Sequence, residues 1–138
     1  MDKIRENTGD PGRPMVLLWH QDSAAGDHFD WMIQDGEGPD APLRSWRVMV
    51  DPGLLLPGDH FITTPTPHHR AAYLTLEGEL SGGRGRVQRV RSGFAKVRED
   101  GESLQIETCW DDGACQVLRG LRINGMGADP PWRFMVVG

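Results

Sequence analysis

Apolar and polar residues alternate with a period of two along most of the chain, the pattern of strands with one buried face. Ten stretches carry this alternation or a short apolar run: 15–20, 28–34, 43–50, 61–64, 71–80, 85–91, 94–98, 104–110, 114–123 and 132–137. Clusters suited to turns separate many of them, namely Asp35-Gly36-Glu37-Gly38-Pro39-Asp40, Ser81-Gly82-Gly83, Glu99-Asp100-Gly101, Asp111-Asp112-Gly113 and Asn124-Gly125. No stretch carries a helical period, and only 53–56 reads as a short helical turn. Strands this short and frequent predict an all-β fold, an antiparallel β-barrel, closed or partly open, with little helix. Residues 1–14 read as a flexible N-terminal segment and 15–138 as one domain.

With 138 residues the chain has the size of one domain around one core. No apolar run approaches the roughly 20 residues of a membrane-spanning helix. The charged N-terminus, interrupted by Pro and Gly, matches neither a signal nor a transit peptide, so a cytoplasmic protein without a membrane partner is expected. Cys109 and Cys115 flank the Asp-Asp-Gly turn symmetrically and should face each other across a hairpin, as a packed thiol pair in a reducing compartment. The net charge of −5 weighs against a nonspecific nucleic-acid binder. Yet 80–98 holds no acid while carrying Arg84, Arg86, Arg89, Arg91, Lys96 and Arg98. Read as extended chain, Arg84 shares a face with Arg86, and Arg89 with Arg91. Two readings stand side by side, a stripe that tracks phosphates and a solvated hairpin whose long side chains cover apolar surface.

The chemistry concentrates in two fragments. In the first, His20-x7-His28-x-Asp30, side chains two apart on a strand leave it on the same side, so His28 and Asp30 project together. A loop over 22–26 can fold His20 back beside them. A His, His, Asp set suits a borderline divalent ion, manganese or zinc, with coordination positions left for water and substrate. The bland alternative is a strand end with ordinary polar neighbours. The second fragment is His69-x3-Tyr73-x3-Glu77-Gly78, followed by Ser81-Gly82-Gly83-Arg84-Gly85, which serves equally as a tight turn or as backbone N–H groups and an arginine facing a phosphate.

Taken in order, His28-Phe29-Asp30-Trp31, Leu43-Arg44-Ser45-Trp46-Arg47-Val48, Leu56-Pro57-Gly58-Asp59 and His69-x3-Tyr73-x3-Glu77-Gly78 resemble the 3'-phosphoesterase domain of bacterial DNA ligase D, where the pieces read approximately HYD, LKSWAV, DPGD and HPLDYADFEG. The resemblance runs from about Met15 to Val137, with Trp132 to Val137 similar to the family's last strand. It implies a β-barrel that hydrolyses a 3'-terminal phosphate, or removes a 3' ribonucleotide, from nucleic-acid ends during DNA repair. His20, His28 and Asp30 would then hold a divalent metal, manganese before zinc. His69 and Tyr73 would be catalytic, and Arg84, Arg86 and Arg44 would bind phosphate or nucleic acid. Partners would be DNA or RNA-containing 3' ends, with ligase or polymerase supplied by separate chains. The alternative is an inactive relative that binds DNA ends or a protein partner, since Met32 stands where the family carries an arginine. Either reading requires His20, His28, Asp30 and His69 to meet in one accessible pocket, which a barrel is expected to form at its mouth.

Overall fold

The computed structural model describes residues 12–22, 24–124 and 129–138. Nine strands are found among them: β1 (Arg13–Gln21), β2 (His28–Gln34), β3 (Leu43–Val48), β4 (His60–His69), β5 (Gly78–Glu79), β6 (Arg86–Asp100), β7 (Ser103–Trp110), β8 (Cys115–Arg122) and β9 (Trp132–Val136). Every neighbouring pair is antiparallel, in the order β1-β2-β3-β4-β9-β8-β7-β6. Pairing of β6 back onto β1 closes these eight into a barrel, and β5 adds to β6 outside the circuit. Short 3-10 turns occur at Pro52–Leu54, Ala71–Leu74 and Ser81–Gly83. Among the described residues no helix is long and apolar enough to cross a membrane.

The pleat sends alternate side chains to opposite faces, and here both faces are used. Inside the barrel Met15, Leu17, Trp31, Ile33, Trp46, Phe61, Ile106, Leu118 and Phe134 belong to one buried cluster. Its centre is aromatic, with Trp31 5.1 Å from Trp46 and 5.6 Å from Phe134 between ring centroids. Gly120 lies directly opposite Phe134, and a Cβ there would meet its ring at 2.5 Å, so only glycine leaves room for that ring.

A second cluster lies on the outer wall, where Val16, Leu18, Met32, Leu43 and Val87 are covered by Tyr73, Leu74, Leu76 and Leu80. Residues 71–80 therefore do not form the expected long strand. They make a 3-10 turn, laid over the barrel wall, and the two-residue β5, which pairs with β6 outside the circuit.

Other expectations are corrected too. The stretches 85–91 and 94–98 are one strand, β6, whose ladder with β1 shifts register between Leu17 and Leu18. The shift sets Arg91 opposite inward-facing Leu17 and Arg89 opposite outward-facing Leu18, so these arginines occupy different faces. Arg84 precedes β6 and shares no strand face with Arg86. Strand β3 stops at Val48, whereas β4 runs on to His69 through Pro65 and Pro67. Of the flexible segment expected over 1–14, residues 1–11 lie outside the described residues, and Arg13 and Pro14 already belong to β1. Asn124 is in a turn, and Gly125 lies outside the described residues. Cys109 and Cys115 do face each other across the β7–β8 hairpin, but as a disulfide rather than a thiol pair.

Candidate functional site

The hairpin of β1 and β2 makes His20 and His28 direct cross-strand partners. Its loop is held by Asp22, whose side chain accepts the N–H groups of Ala24 and Ala25 at 2.9 and 3.2 Å while its carbonyl accepts Gly26 N–H at 2.8 Å. Those backbone donors hold the Asp22 carboxyl below its ordinary range. With the register fixed, Asp30 follows His28 on the same face, and the carboxylate lies between the two rings. His20 Nδ1 is 3.0 Å from Asp30 Oδ2, and His28 Nε2 is 3.2 Å from Asp30 Oδ1.

The far side of each ring decides what these contacts are. His20 Nε2 lies 2.8 Å from the Arg84 carbonyl and His28 Nδ1 2.8 Å from the Gly26 carbonyl. A carbonyl only accepts, so each of these nitrogens carries the proton. In the neutral rings the remaining nitrogens, His20 Nδ1 and His28 Nε2, then present lone pairs to a carboxylate. Three electron-rich groups converge, and a cation or added protons must reconcile them. Ligand atoms of His20, His28 and Asp30 all lie within 4.8 Å of one another. With metal–ligand bonds of about 2 Å, small side-chain rotations would complete a coordination sphere. The group could hold a metal ion, with backbone carbonyls already fixing both tautomers as outer partners do in metal sites.

Three further residues adjoin it. His69 and Tyr73 rings are 4.7 Å apart, Arg84 Nη1 donates to the Tyr73 hydroxyl at 3.3 Å, and the Arg84 carbonyl accepts from His20 Nε2. A continuous set of contacts thus runs from His28 through Asp30, His20, Arg84 and Tyr73 to His69. Burial lowers the His69 pKa; the Asp30 charge and a hydrogen bond to the Pro67 backbone oppose the shift, while Arg84 and His20 add to it. His69 is therefore neutral near pH 7.

The location differs from the barrel mouth expected. These groups lie on the outer wall, Tyr73 on the segment that covers the second cluster, and access is narrow: His28 is 2% and Asp30 6% exposed. Two arginines named from sequence are elsewhere. Arg44 faces inward, over the Trp46 ring at 4.9 Å and paired with Glu99 at 3.0 Å. Arg86 is exposed, paired with Glu79 at 3.3 Å, and lines an open cleft of about 340 Å³ with Gln21, Asp27, Glu79 and Gly85 at the strand ends. Of the rest of the basic stripe, Arg91 is held by Asp51 and Asp112.

One cation was missed. Arg47 is the direct cross-strand partner of Asp30 on the outer face. The period of two in Leu43-Arg44-Ser45-Trp46-Arg47-Val48 could have found it, because Arg47 alternates with the inward-facing Trp46 and Val48.

Comparison with protein-family models gives no match, and comparison with curated proteins gives none either.

Proposed function

We propose that this protein is a metal-dependent phosphoesterase that removes 3'-phosphate or 3'-ribonucleotide groups from nucleic-acid ends, as the ligase D domain it resembles does. The observation that carries the reading is the convergence of His20 Nδ1, His28 Nε2 and both Asp30 oxygens, with the opposite ring nitrogens committed to backbone carbonyls. Mixed nitrogen and oxygen donors suit manganese, with zinc as the alternative ion. A divalent ion held there would neutralise charge on phosphoryl oxygens.

The remaining roles belong to the side chains. Arg84, donating to Tyr73 Oη, leaves the Tyr73 hydroxyl proton free to bind a phosphoryl oxygen. Neutral His69 can donate one ring N–H to the same group, while permanent positive charge comes from arginine. Phosphoryl transfer depends mainly on such positioning and charge neutralisation. Substrates would be DNA or RNA-containing 3' ends, and ligation or extension would fall to other chains.

A second reading, a DNA-end or partner-binding module without turnover, draws support from Met32, which is fully buried on the outer wall and supplies no charge. The deciding assay is release of inorganic phosphate from a 3'-phosphorylated DNA oligonucleotide with added manganese, comparing wild type with Asp30→Asn. Turnover abolished by the substitution supports the phosphoesterase. DNA-end binding without turnover in wild type would transfer the assignment to the module.

A further inference from the structure

Met49, Leu54 and Leu56 are the most exposed large apolar side chains among the described residues, at 70%, 70% and 69%, and Val50 joins them at 40%. All four lie in the loop between β3 and β4. Closing the barrel end does not require them, since Leu55 is the member of this run that packs on the interior cluster. An exposed apolar group of this kind marks a place where another molecule binds.

The loop is fixed in the shape that exposes them. Asp51 accepts the Gly53 N–H at 2.9 Å, Gln116 donates to the Pro52 and Leu55 carbonyls at 2.9 and 3.0 Å, and the Asp59 carboxylate accepts the Leu56 N–H at 2.8 Å. Gly58 N–H donates to the Val136 carbonyl at 2.8 Å, tying the loop to β9. Apolar anchors already in place lose little further freedom when a partner binds.

Charge selects the occupant. Strands β1, β3 and β7 run in the same direction around the antiparallel circuit, so the loops that follow them, 22–27, 49–59 and 111–114, share one end of the barrel. Together these loops carry Asp22, Asp27, Asp51, Asp59, Asp111 and Asp112 and neither lysine nor arginine. Arg91 reaches in from β6 and offsets part of that charge at Asp51 and Asp112. An acidic end repels nucleic acid and anionic lipid, and an isologous contact with a second copy would set aspartates against aspartates. We infer that the loop 49–56 is a docking surface for a segment of another protein in which lysine or arginine alternates with apolar side chains. The inference does not rest on the phosphoesterase reading.

The test is selection of a random peptide library, displayed on phage, on the immobilised full-length chain, followed by nuclear magnetic resonance titration of the protein with the enriched peptide. Enriched sequences should combine basic and apolar residues, and backbone shifts should concentrate at 49–56. Leu54→Ser with Leu56→Ser should weaken binding about tenfold or more, and added salt should weaken it in wild type. Ile62→Ser with Leu121→Ser, equally exposed on the far wall, should leave it unchanged, and manganese binding should be the same in all three proteins. If the leucine pair melts well below wild type, Met49→Gln gives the same reading from the other flank of the turn. No enrichment, an acidic consensus, or shifts centred elsewhere would overturn the inference. So would leucine-dependent self-association in sedimentation, or leucine-dependent partition into phosphatidylcholine vesicles, which would give the surface to a second copy or to lipid.

Discussion

Asp30 is the residue on which most of the site turns, because two histidines and the charge environment of His69 all refer to it. Its carboxylate opposes the burial that lowers the His69 pKa. In metal-free protein, His69 should titrate below 6.5, the ordinary histidine value, and Asp30→Asn should move the midpoint further down. Histidine-resolved NMR titration measures both, and a wild-type midpoint at or above 6.5 would contradict the burial argument. The sign of the stability effect follows. A depressed folded pKa means that the unfolded chain binds more protons, so the stability linked to neutral His69 is present above the unfolded pKa and is lost as pH falls through the folded value. Replacing His69 with Gln should flatten thermal stability across that acidic window. The same Asp30→Asn protein should bind manganese at least about a hundredfold more weakly, since it loses an anionic ligand.

At the scale of elements, the sequence was most readable where one face meets the core and the other meets solvent. Strands β7 and β9 alternate cleanly between buried and less buried positions, and both were located to within about one residue. Met15 to Leu18 is apolar without a break because that part of β1 is buried on both faces, inside and beneath the covering segment. The covering segment itself was misread. Tyr73, Leu74, Leu76 and Leu80 are apolar as in a strand, yet they bury by lying on a neighbouring sheet, a tertiary contact that no local period encodes. Strand β4 was read too short for a related reason. It pairs with β9 only over His60 to Thr63, so Pro65 and Pro67 lie beyond that ladder, where a missing N–H breaks no bond to β9. The convergence of His20, His28 and Asp30 was legible because its spacing is local to one hairpin; Arg47 was not singled out, because its relation to Asp30 is one of strand register. Gly85 ties the covering segment to the site. It has φ +89°, and a Cβ would collide with the Gln21 carbonyl. Gly85→Ala should therefore cost on the order of 1–3 kcal/mol in urea melts and weaken manganese binding, because the adjacent Arg84 carbonyl orients His20. Unchanged stability and affinity would show that the covering segment adjusts freely.

For the whole molecule, barrel closure sets the candidate site and the disulfide-linked hairpin on different parts of the wall. The candidate site occupies the wall of β1, β2 and β3, and in the circuit of eight strands the β7–β8 hairpin lies across the barrel from β2 and β3. The Cys109–Cys115 disulfide sits in that hairpin and closes a loop with a sequence separation of only 6. In the chain-entropy account a loop so short restrains the unfolded state little, for a stabilisation of about 2 kcal/mol. Perturbations at distant sites with no shared partners add independently. Reduction, or the double substitution Cys109→Ser with Cys115→Ser, should thus lower stability by roughly 2 kcal/mol in denaturant melts. Manganese affinity and the His69 titration should remain as in the oxidised protein. A loss of metal affinity on reduction, with the barrel still folded by circular dichroism, would show that the far hairpin and the site are coupled through the aromatic interior, where Trp31 on β2 meets Phe134 on β9.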